Sequence, residues 1–83
     1  MAYFVYLIGT YKQNKLITYV GYTNNLKKRL ELHNSSRGAK FTKGRKWKLI
    51  YYEKKKTKKN ALKREYYIKK NRKLRNSIKN LYK

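Results

Sequence analysis

The chain is 83 residues long and carries 25 Lys or Arg against three acids, for a formal net charge of +22. This length accommodates one domain and excludes a second independent one. Cysteine is absent, which excludes disulfides, cysteine-ligated zinc and thiol chemistry. No apolar run approaches the roughly 20 residues that span a bilayer, and no leader pattern opens the chain, so we expect a soluble cytoplasmic protein. Met1, directly before the first apolar run, favours a complete small protein.

The excess of positive charge predicts a polyanionic partner. Lys and Arg release counterions from phosphate, which gives salt-dependent binding without sequence preference. Nucleic acid is therefore the expected partner. A membrane surface is a weaker candidate, because no predicted helix has a clean, broad apolar face. Apolar residues make up 40% of the chain, which indicates a folded domain and not a basic tail.

Two strands are predicted at the start of the chain. Aromatic and β-branched residues over 3–8 predict the first strand, which ends at Gly9. The polar segment over residues 10–15 carries Gln13 and Asn14 and predicts a hairpin turn, and residues 16–21 predict the second strand. We therefore expect a β-hairpin in which Tyr6 and Tyr19 lie on adjacent strands.

A first helix is predicted after the hairpin. Its candidate N-caps are Thr23, Asn24 and Asn25. Leu26, Leu30 and His33 follow at helical spacing, and the helix is expected to end near Asn34. Arg29 lies four residues before His33, so both side chains are expected on one helical face.

The second half of the chain predicts a basic loop, a third strand and two helices. The loop covers residues 35–46, the strand covers residues 47–53, and a charged connection with Thr57 as a possible cap follows. The second helix is expected to carry Ala61, Leu62, Glu65, Tyr66 and Ile68. The third is expected to start at Asn71 and to carry Leu74, Ile78 and Leu81. This order predicts a small α+β domain with three strands and three helices.

The rarity of acids limits the possible metal chemistry. The only carboxylate side chains are Glu31, Glu53 and Glu65, and there is no Asp. A two-metal site built from several carboxylates is therefore not expected, whereas one carboxylate with waters and a substrate phosphate can hold a Mg²⁺-type ion. From the residues alone, Glu65 fits either such a site or an ion pair with a neighbouring Lys or Arg.

Other polar and aromatic residues allow two interpretations each. Arg29 and His33 can bind a phosphate and transfer a proton, or can form a solvated helix face. Tyr6 and Tyr19 can belong to a site, or can form the aromatic pairs that commonly stabilise a sheet. Core or sheet-face positions, and not base-stacking platforms, are expected for Trp47, Tyr51 and Tyr52.

Several short segments, taken in order and spacing, resemble the GIY-YIG nuclease superfamily over about residues 3–70. Phe4-Val5-Tyr6 corresponds to the first motif, with Phe4 where the family usually has Gly, and Tyr19-Val20-Gly21 corresponds to the second. The helix segment that ends in Lys28-Arg29-Leu30 carries the arginine. Further similar segments are His33-Asn34, Gly38-Ala39-Lys40-Phe41-Thr42-Lys43-Gly44, Leu49-Ile50-Tyr51-Tyr52-Glu53 and Ala61-Leu62-Lys63-Arg64-Glu65.

This resemblance implies a three-stranded antiparallel sheet flanked by helices and a divalent-metal-dependent endonuclease that hydrolyses DNA phosphodiester bonds. Glu65 matches the ligand of a single Mg²⁺ or Mn²⁺ ion, and Arg29 matches the arginine that stabilises charge on the scissile phosphate. Tyr6 and Tyr19 match the motif tyrosines, one of which activates or orients the attacking water. His33 matches a position close to that nucleophile.

The sequence leaves open the identity of the general base, the role of Asn71 and the choice between two functions. A free tyrosine has a pKa of about 10 and histidine one of about 6.5, so the general base is Tyr6, Tyr19 or His33. Asn71 is a weaker candidate for a late polar residue found in some family members. The alternative function is a non-catalytic nucleic-acid-binding protein, associated with the nucleoid or ribosome, that retained the fold.

We expect one nuclease domain over residues 1–83, acting on DNA with structural selectivity or none, and RNA is not excluded.

Overall fold

A computed structural model describes residues 2–38 and 40–82 of the chain. Its elements are β1 (Tyr3–Lys12), β2 (Lys15–Thr23), α1 (Leu26–Asn34), a 3₁₀ turn (Lys40–Thr42), β3 (Lys48–Lys55), α2 (Lys58–Lys70) and α3 (Arg72–Tyr82). This order confirms the predicted α+β class. Met1 and Ala39, which entered the sequence predictions, lie outside the described residues. Within the described part of the chain, no helix has the length and apolar character needed to cross a membrane.

The hairpin is tighter than the sequence predicts. β1 and β2 pair from Phe4 opposite Thr23 to Lys12 opposite Lys15. The turn therefore consists only of Gln13 and Asn14, whose φ angles of 51° and 65° suit a two-residue hairpin turn. The predicted turn is confirmed at Gln13 and Asn14, and only its width over residues 10–15 is wrong, because the flanking polar residues are paired.

β1 is the central strand of the sheet. The strand order is β2-β1-β3, and β1 is antiparallel to both neighbours. The register with β3 shifts between Leu7, which faces Tyr51, and Ile8, which faces Leu49. Ile50 is the extra residue of this bulge, so Ile50 and Tyr51 pack against the same core cluster although they are adjacent in sequence.

Alternating side chains of β1 build two cores on opposite faces of the sheet. Val5 and Leu7 pack in one cluster with residues of α2 and α3, namely Ala61, Ile68 and Ile78. Tyr6 and Ile8 pack in the other cluster with Trp47 and with Leu26 and Leu30 of α1. Successive residues of a strand point to opposite faces, so α1 and the α2–α3 pair cover different sides of the sheet.

The helix ends follow from their caps. Asn25 caps α1 by accepting from the Lys28 amide at 3.1 Å, and Thr57 caps α2 by accepting from the Asn60 amide at 3.1 Å. Thr23 belongs to β2, so of the three candidates only Asn25 is the N-cap. Leu81 is 88% exposed because the buried part of α3 ends with Ile78, and its place in an apolar stripe is therefore wrong.

A charged network joins β3 to α2. The Glu53 carboxylate accepts hydrogen bonds from Arg64 Nε at 2.8 Å and Arg64 Nη2 at 2.9 Å, and also from the Tyr51 hydroxyl. Lys55 adds an ion pair at 3.3 Å. The hydrogen bonds from Arg64 are the main cause that lowers the pKa of Glu53 to about 2, against the opposing effect of burial. Glu53 is thus held ionised as a structural group.

Glu53→Gln is expected to lower the free energy of unfolding at pH 7 by about 2 kcal/mol, the typical contribution of hydrogen bonds to a charged group. A carboxylate whose pKa is lower in the folded state stabilises the fold above its unfolded pKa of 4.5. The difference between wild type and variant should therefore shrink as pH falls from 4.5 towards 2. Urea unfolding at several pH values measures it, with the exposed Glu31→Gln as the control; a difference independent of pH would contradict the assignment.

Candidate active site

Tyr6, Arg29 and His33 meet on the face of the sheet that α1 covers. The Tyr6 hydroxyl is hydrogen-bonded to His33 Nε2 at 2.8 Å, and Arg29 Nε donates to the same hydroxyl oxygen at 3.3 Å. Tyr6 is 2% exposed and His33 is fully buried. Three residues that the sequence singled out on two separate elements therefore form one hydrogen-bonded cluster.

Gly21 makes room for this cluster. It lies directly opposite Tyr6 in the register of β1 and β2, and a Cβ atom at position 21 would overlap the Tyr6 hydroxyl and ring. Gly38 also lies against a side chain of the cluster, because a Cβ atom at position 38 would overlap the His33 imidazole at Nδ1. Both glycines are therefore needed where two backbone segments approach buried site side chains.

Gly21→Ala is expected to displace the Tyr6 ring and to cost about 1–3 kcal/mol in unfolding free energy, the usual cost of overpacking. Denaturant unfolding measures the cost, and the imidazole nitrogen shifts of His33 report whether the hydrogen bond to Tyr6 is lost. Gly9→Ala is the matched control on the same sheet, since its Cβ would approach its nearest neighbour, Leu16 Cδ1, only to 3.1 Å and would not overlap it as a Cβ at Gly21 overlaps Tyr6. Unchanged His33 shifts in Gly21→Ala would contradict this role of Gly21.

The second nitrogen of His33 is also engaged. His33 Nδ1 is hydrogen-bonded to Thr42 Oγ1 at 2.9 Å, and Thr42 is fully buried. The Trp47 indole donates to the Thr42 carbonyl at 2.9 Å, which fixes the 3₁₀ turn beneath the histidine. Thr42 was not a predicted site residue, and its only signal was its position in the loop segment that resembles the family.

Asn34 closes the loop that carries Thr42. Its side-chain oxygen accepts from the Trp47 amide at 2.6 Å, and its side-chain nitrogen donates to the Trp47 carbonyl at 3.1 Å. The end of α1 is therefore tied to the residue before β3. Trp47 is 2% exposed, which agrees with its expected place in the core.

Tyr19 contacts the cluster through its ring. It packs edge-on against His33 with ring centroids 5.3 Å apart, and the Tyr6 ring packs against the same imidazole at 5.8 Å. In the sheet register Tyr19 faces Ile8, not Tyr6, so the two tyrosines are not directly opposite. They are joined through His33.

Burial and Arg29 set the protonation of the cluster. Burial raises the pKa of Tyr6, and the hydrogen bond from Arg29 offsets part of that rise. Burial also lowers the pKa of His33, and the positive charge of Arg29 adds to this effect. At neutral pH the phenol is therefore protonated and the imidazole is neutral, so the imidazole can accept a proton from the phenol in the tautomer whose Nε2 carries no hydrogen.

Glu65 lies on α2, which covers the face of the sheet opposite to α1. Its side chain is 16% exposed, and its ion pair with Lys69 is long, at 3.9 Å. Its negative charge is a minor cause of the raised pKa of Tyr6, far behind burial. In the part of the chain that the structure describes, no hydrogen bond joins Glu65 to Tyr6, Arg29 or His33. No group of three or more His, Cys, Asp or Glu side chains that could hold a metal occurs in the described ranges, so any ion here would rest on a single carboxylate.

Asn71 is placed differently. It ends α2, its side-chain oxygen accepts from the Leu74 amide at 2.9 Å, and its side-chain nitrogen donates to the Tyr67 hydroxyl at 3.1 Å. The side chain therefore links α2 to α3 and makes no hydrogen bond to Tyr6, Arg29 or His33.

An open pocket adjoins the cluster on the side of Arg29. It lies between the N-terminal ends of α1 and α2, and its lining consists of Tyr3, Tyr22, Thr23, Asn24, Arg29 and Lys58. Arg29 thus contacts the buried Tyr6 hydroxyl with Nε and also borders solvent. This arrangement can hold an anion next to a proton-transferring pair.

The GIY-YIG catalytic domain, as a sequence family, matches residues 2–79 of the chain. The chain belongs to the GIY-YIG family. A UPF0213 protein of Clostridium perfringens is 55% identical over 53 residues, which cover 63% of this chain and 57% of that protein. A UPF0213 protein of Oceanobacillus iheyensis is 40% identical over 68 residues, which cover 81% of this chain and 76% of that protein.

A solved structure supports the same conclusion for the fold. The solution NMR structure of the UPF0213 protein BH0048 from Bacillus halodurans is 31% identical, with a TM-score of 0.52, covering 98% of this chain and 85% of that one. In the sequence comparison, this chain spans little more than half the length of the Clostridium perfringens relative that it matches. The three-stranded antiparallel sheet with three helices expected from the resemblance is thereby confirmed.

Membership of the GIY-YIG family assigns the chain to a family of endonuclease domains. The first motif, Phe4-Val5-Tyr6, lies on β1 and the second, Tyr19-Val20-Gly21, lies beside it on β2. In this GIY-YIG domain the tyrosine of the first motif and the glycine of the second are direct neighbours across the hairpin. The two motifs together therefore position one hydroxyl group.

Proposed function

We propose that this GIY-YIG domain, formed by residues 1–83, is a cytoplasmic, divalent-metal-dependent endonuclease that hydrolyses DNA phosphodiester bonds with structural selectivity or none. The observation that carries the proposal is the Tyr6 hydroxyl held between His33 Nε2 and Arg29 Nε. It combines a proton acceptor, a polar relay and a fixed positive charge within a few ångströms. The net charge of +22 supports a polyanionic substrate.

The proton path runs from water to Tyr6 and then to His33. With Nδ1 donating to Thr42, His33 Nε2 accepts from the Tyr6 hydroxyl. As the water oxygen attacks phosphorus, its proton passes to the Tyr6 oxygen while the phenol proton passes to Nε2. A concerted transfer suits these residues, because burial raises the pKa of Tyr6 and disfavours a standing phenolate. Tyr19 packs against the His33 ring and keeps it in this orientation.

Arg29 supplies fixed positive charge. Its Nε holds the Tyr6 oxygen, and no other hydrogen bond of its side chain is formed with the described residues. Arg29 also lines the pocket, so its remaining guanidinium N–H groups would be available to the nonbridging oxygens of a phosphodiester. Preorganised donors of this kind stabilise the charge that develops on phosphate in the transition state.

Glu65 is the carboxylate best suited to bind the metal ion of such a site. Of the three Glu side chains, Glu31 is exposed and Glu53 is hydrogen-bonded to Arg64. Glu65 is mostly buried and, among the described residues, forms only one long ion pair. Glu65 would hold one Mg²⁺ or Mn²⁺, with waters and the substrate phosphate as the other ligands. When bound, the ion stabilises negative charge on the phosphate and on the departing 3′ oxygen. The P–O3′ bond breaks and the 3′ oxygen takes a proton from solvent.

The deciding experiment is a cleavage assay with plasmid, forked and single-stranded DNA, and with RNA, with Mg²⁺, with Mn²⁺ and with EDTA. We expect cleavage of at least one DNA substrate, dependent on the ion and leaving 5′-phosphate ends. The second candidate function is non-catalytic nucleic-acid binding, which the high positive charge also favours. Tight, strongly salt-dependent binding without metal-dependent cleavage of any substrate would support that candidate and contradict ours.

A further inference from the structure

Phe41 is an exposed aromatic residue beside the candidate active site. It lies in the 3₁₀ turn and is 50% exposed. Its ring stacks on Tyr19 at 6.1 Å with an interplanar angle of 20°, and is tilted against Trp47 at 6.1 Å. Tyr19 in turn contacts His33. The exposed ring is therefore only two ring contacts away from the proposed proton acceptor.

Positive charge surrounds this ring. The Arg45 guanidinium lies over Phe41 at 5.3 Å from the ring centroid. Arg45 Nη1 is buried and has no hydrogen-bond partner among the described residues, although an unpaired buried donor is costly. The same segment carries three exposed lysines, Lys40, Lys43 and Lys46. Aromatic rings beside arginine side chains are typical of grooves that bind single-stranded nucleic acid.

We propose that Phe41 and Arg45 form a subsite for one unpaired nucleotide of a DNA strand, with the base stacked on Phe41 and its phosphate bound by Arg45. On binding, the Arg45 guanidinium leaves the Phe41 ring and donates a charge-assisted hydrogen bond from Nη1 to the phosphate. The face of the ring that Arg45 covered then becomes accessible to the base. A base paired within a duplex is stacked on its neighbours and cannot occupy the ring. The subsite therefore selects single-stranded or flapped DNA.

This subsite deepens the proposed nuclease function and rests on it for one point, that the bound nucleotide flanks the scissile phosphate. Stacking itself requires no cleavage. Binding without a metal ion therefore tests the subsite separately, because EDTA prevents hydrolysis while leaving the ring and the guanidinium in place.

The experiment measures fluorescence anisotropy of a labelled thymidine octamer and of an octamer of abasic sugar-phosphate, which has the same charge but no bases. The wild-type chain in EDTA is expected to prefer the thymidine octamer about tenfold, the effect of stacking one base. Phe41→Leu keeps an apolar side chain but removes the ring, and should reduce this preference to less than twofold while its affinity for the abasic octamer stays unchanged. Phe41→Trp should restore the preference.

Tyr66→Leu is the matched control, since Tyr66 is 63% exposed on α2 and also contacts a cation, Lys70. It should keep the wild-type preference. A base preference that survives in Phe41→Leu, or disappears in Tyr66→Leu, overturns the subsite. Cleavage without any base preference would support the nuclease function and overturn the subsite. A base preference without cleavage would support the subsite and overturn the nuclease function.

Discussion

Glu65→Gln is expected to reduce metal-dependent DNA cleavage by at least about 1,000-fold while the affinity for DNA stays the same. The amide keeps the size of the side chain but removes the charge that a hard cation requires. Loss of the several kcal/mol of charge stabilisation that a bound ion contributes accounts for this size. Single-turnover cleavage at saturating Mg²⁺ measures the rate, and anisotropy in EDTA measures the affinity.

Glu31→Gln is the matched control for this experiment. It makes the same change of net charge at an exposed position of α1, so it corrects for any general effect of a more positive protein on DNA binding. We expect it to cut at the wild-type rate. If Glu65→Gln also cut at the wild-type rate, Glu65 would not be the metal ligand, and the proposed site would need another oxygen donor.

Tyr6→Phe is expected to slow cleavage by about 100- to 10,000-fold, the usual contribution of a positioned acid–base group. The substitution keeps the ring that packs beside Ile8 and Trp47 but removes the hydroxyl that joins His33 to Arg29. The chain then lacks the relay between water and the imidazole. Single-turnover rates over a range of pH measure the loss, with the substrate affinity measured in EDTA as a second readout.

Tyr51→Phe is the corresponding control. It also removes a phenol hydroxyl from a hydrogen bond to a charged group, here Glu53 in the network between β3 and α2. We expect a lower unfolding free energy and a normal rate of cleavage. Equal losses of rate in Tyr6→Phe and Tyr51→Phe would show that the effect of Tyr6 is on stability, and would contradict its place in the proton path.

Local sequence patterns predicted the elements well, because hydrophobic periodicity and caps act over a few residues. The strand at Tyr3, the cap at Asn25 and the helix after Thr57 all follow from such patterns. The hairpin turn at Gln13 and Asn14 was predicted, but it was drawn too wide because polar residues 10–12 remain paired. Leu81 was misjudged because periodicity shows which face a residue lies on, and not how far the neighbouring sheet extends.

The site was predictable only in part, because its geometry depends on contacts between distant segments. Spacing on α1 placed Arg29 and His33 together, and the motif resemblance added Tyr6 and Tyr19. Nothing in the sequence indicated that Thr42 would occupy the second nitrogen of His33, or that Gly21 would accommodate Tyr6. Nor did the count of acids distinguish Glu53, which accepts hydrogen bonds from Arg64, from Glu65, whose ion pair within the described residues is the long one to Lys69.

The central position of β1 has a consequence for motion. Its backbone is hydrogen-bonded to a neighbour on each side, so its amides belong to the part of the chain that opens last. The 3₁₀ turn with Phe41 has no sheet partner and is held by side chains such as Asn34 and Trp47. Hydrogen exchange should therefore be slow around Tyr6 and fast around Phe41. The hydroxyl that we propose as the proton relay therefore rests on a rigid strand, while the proposed nucleotide subsite can adjust to different substrates.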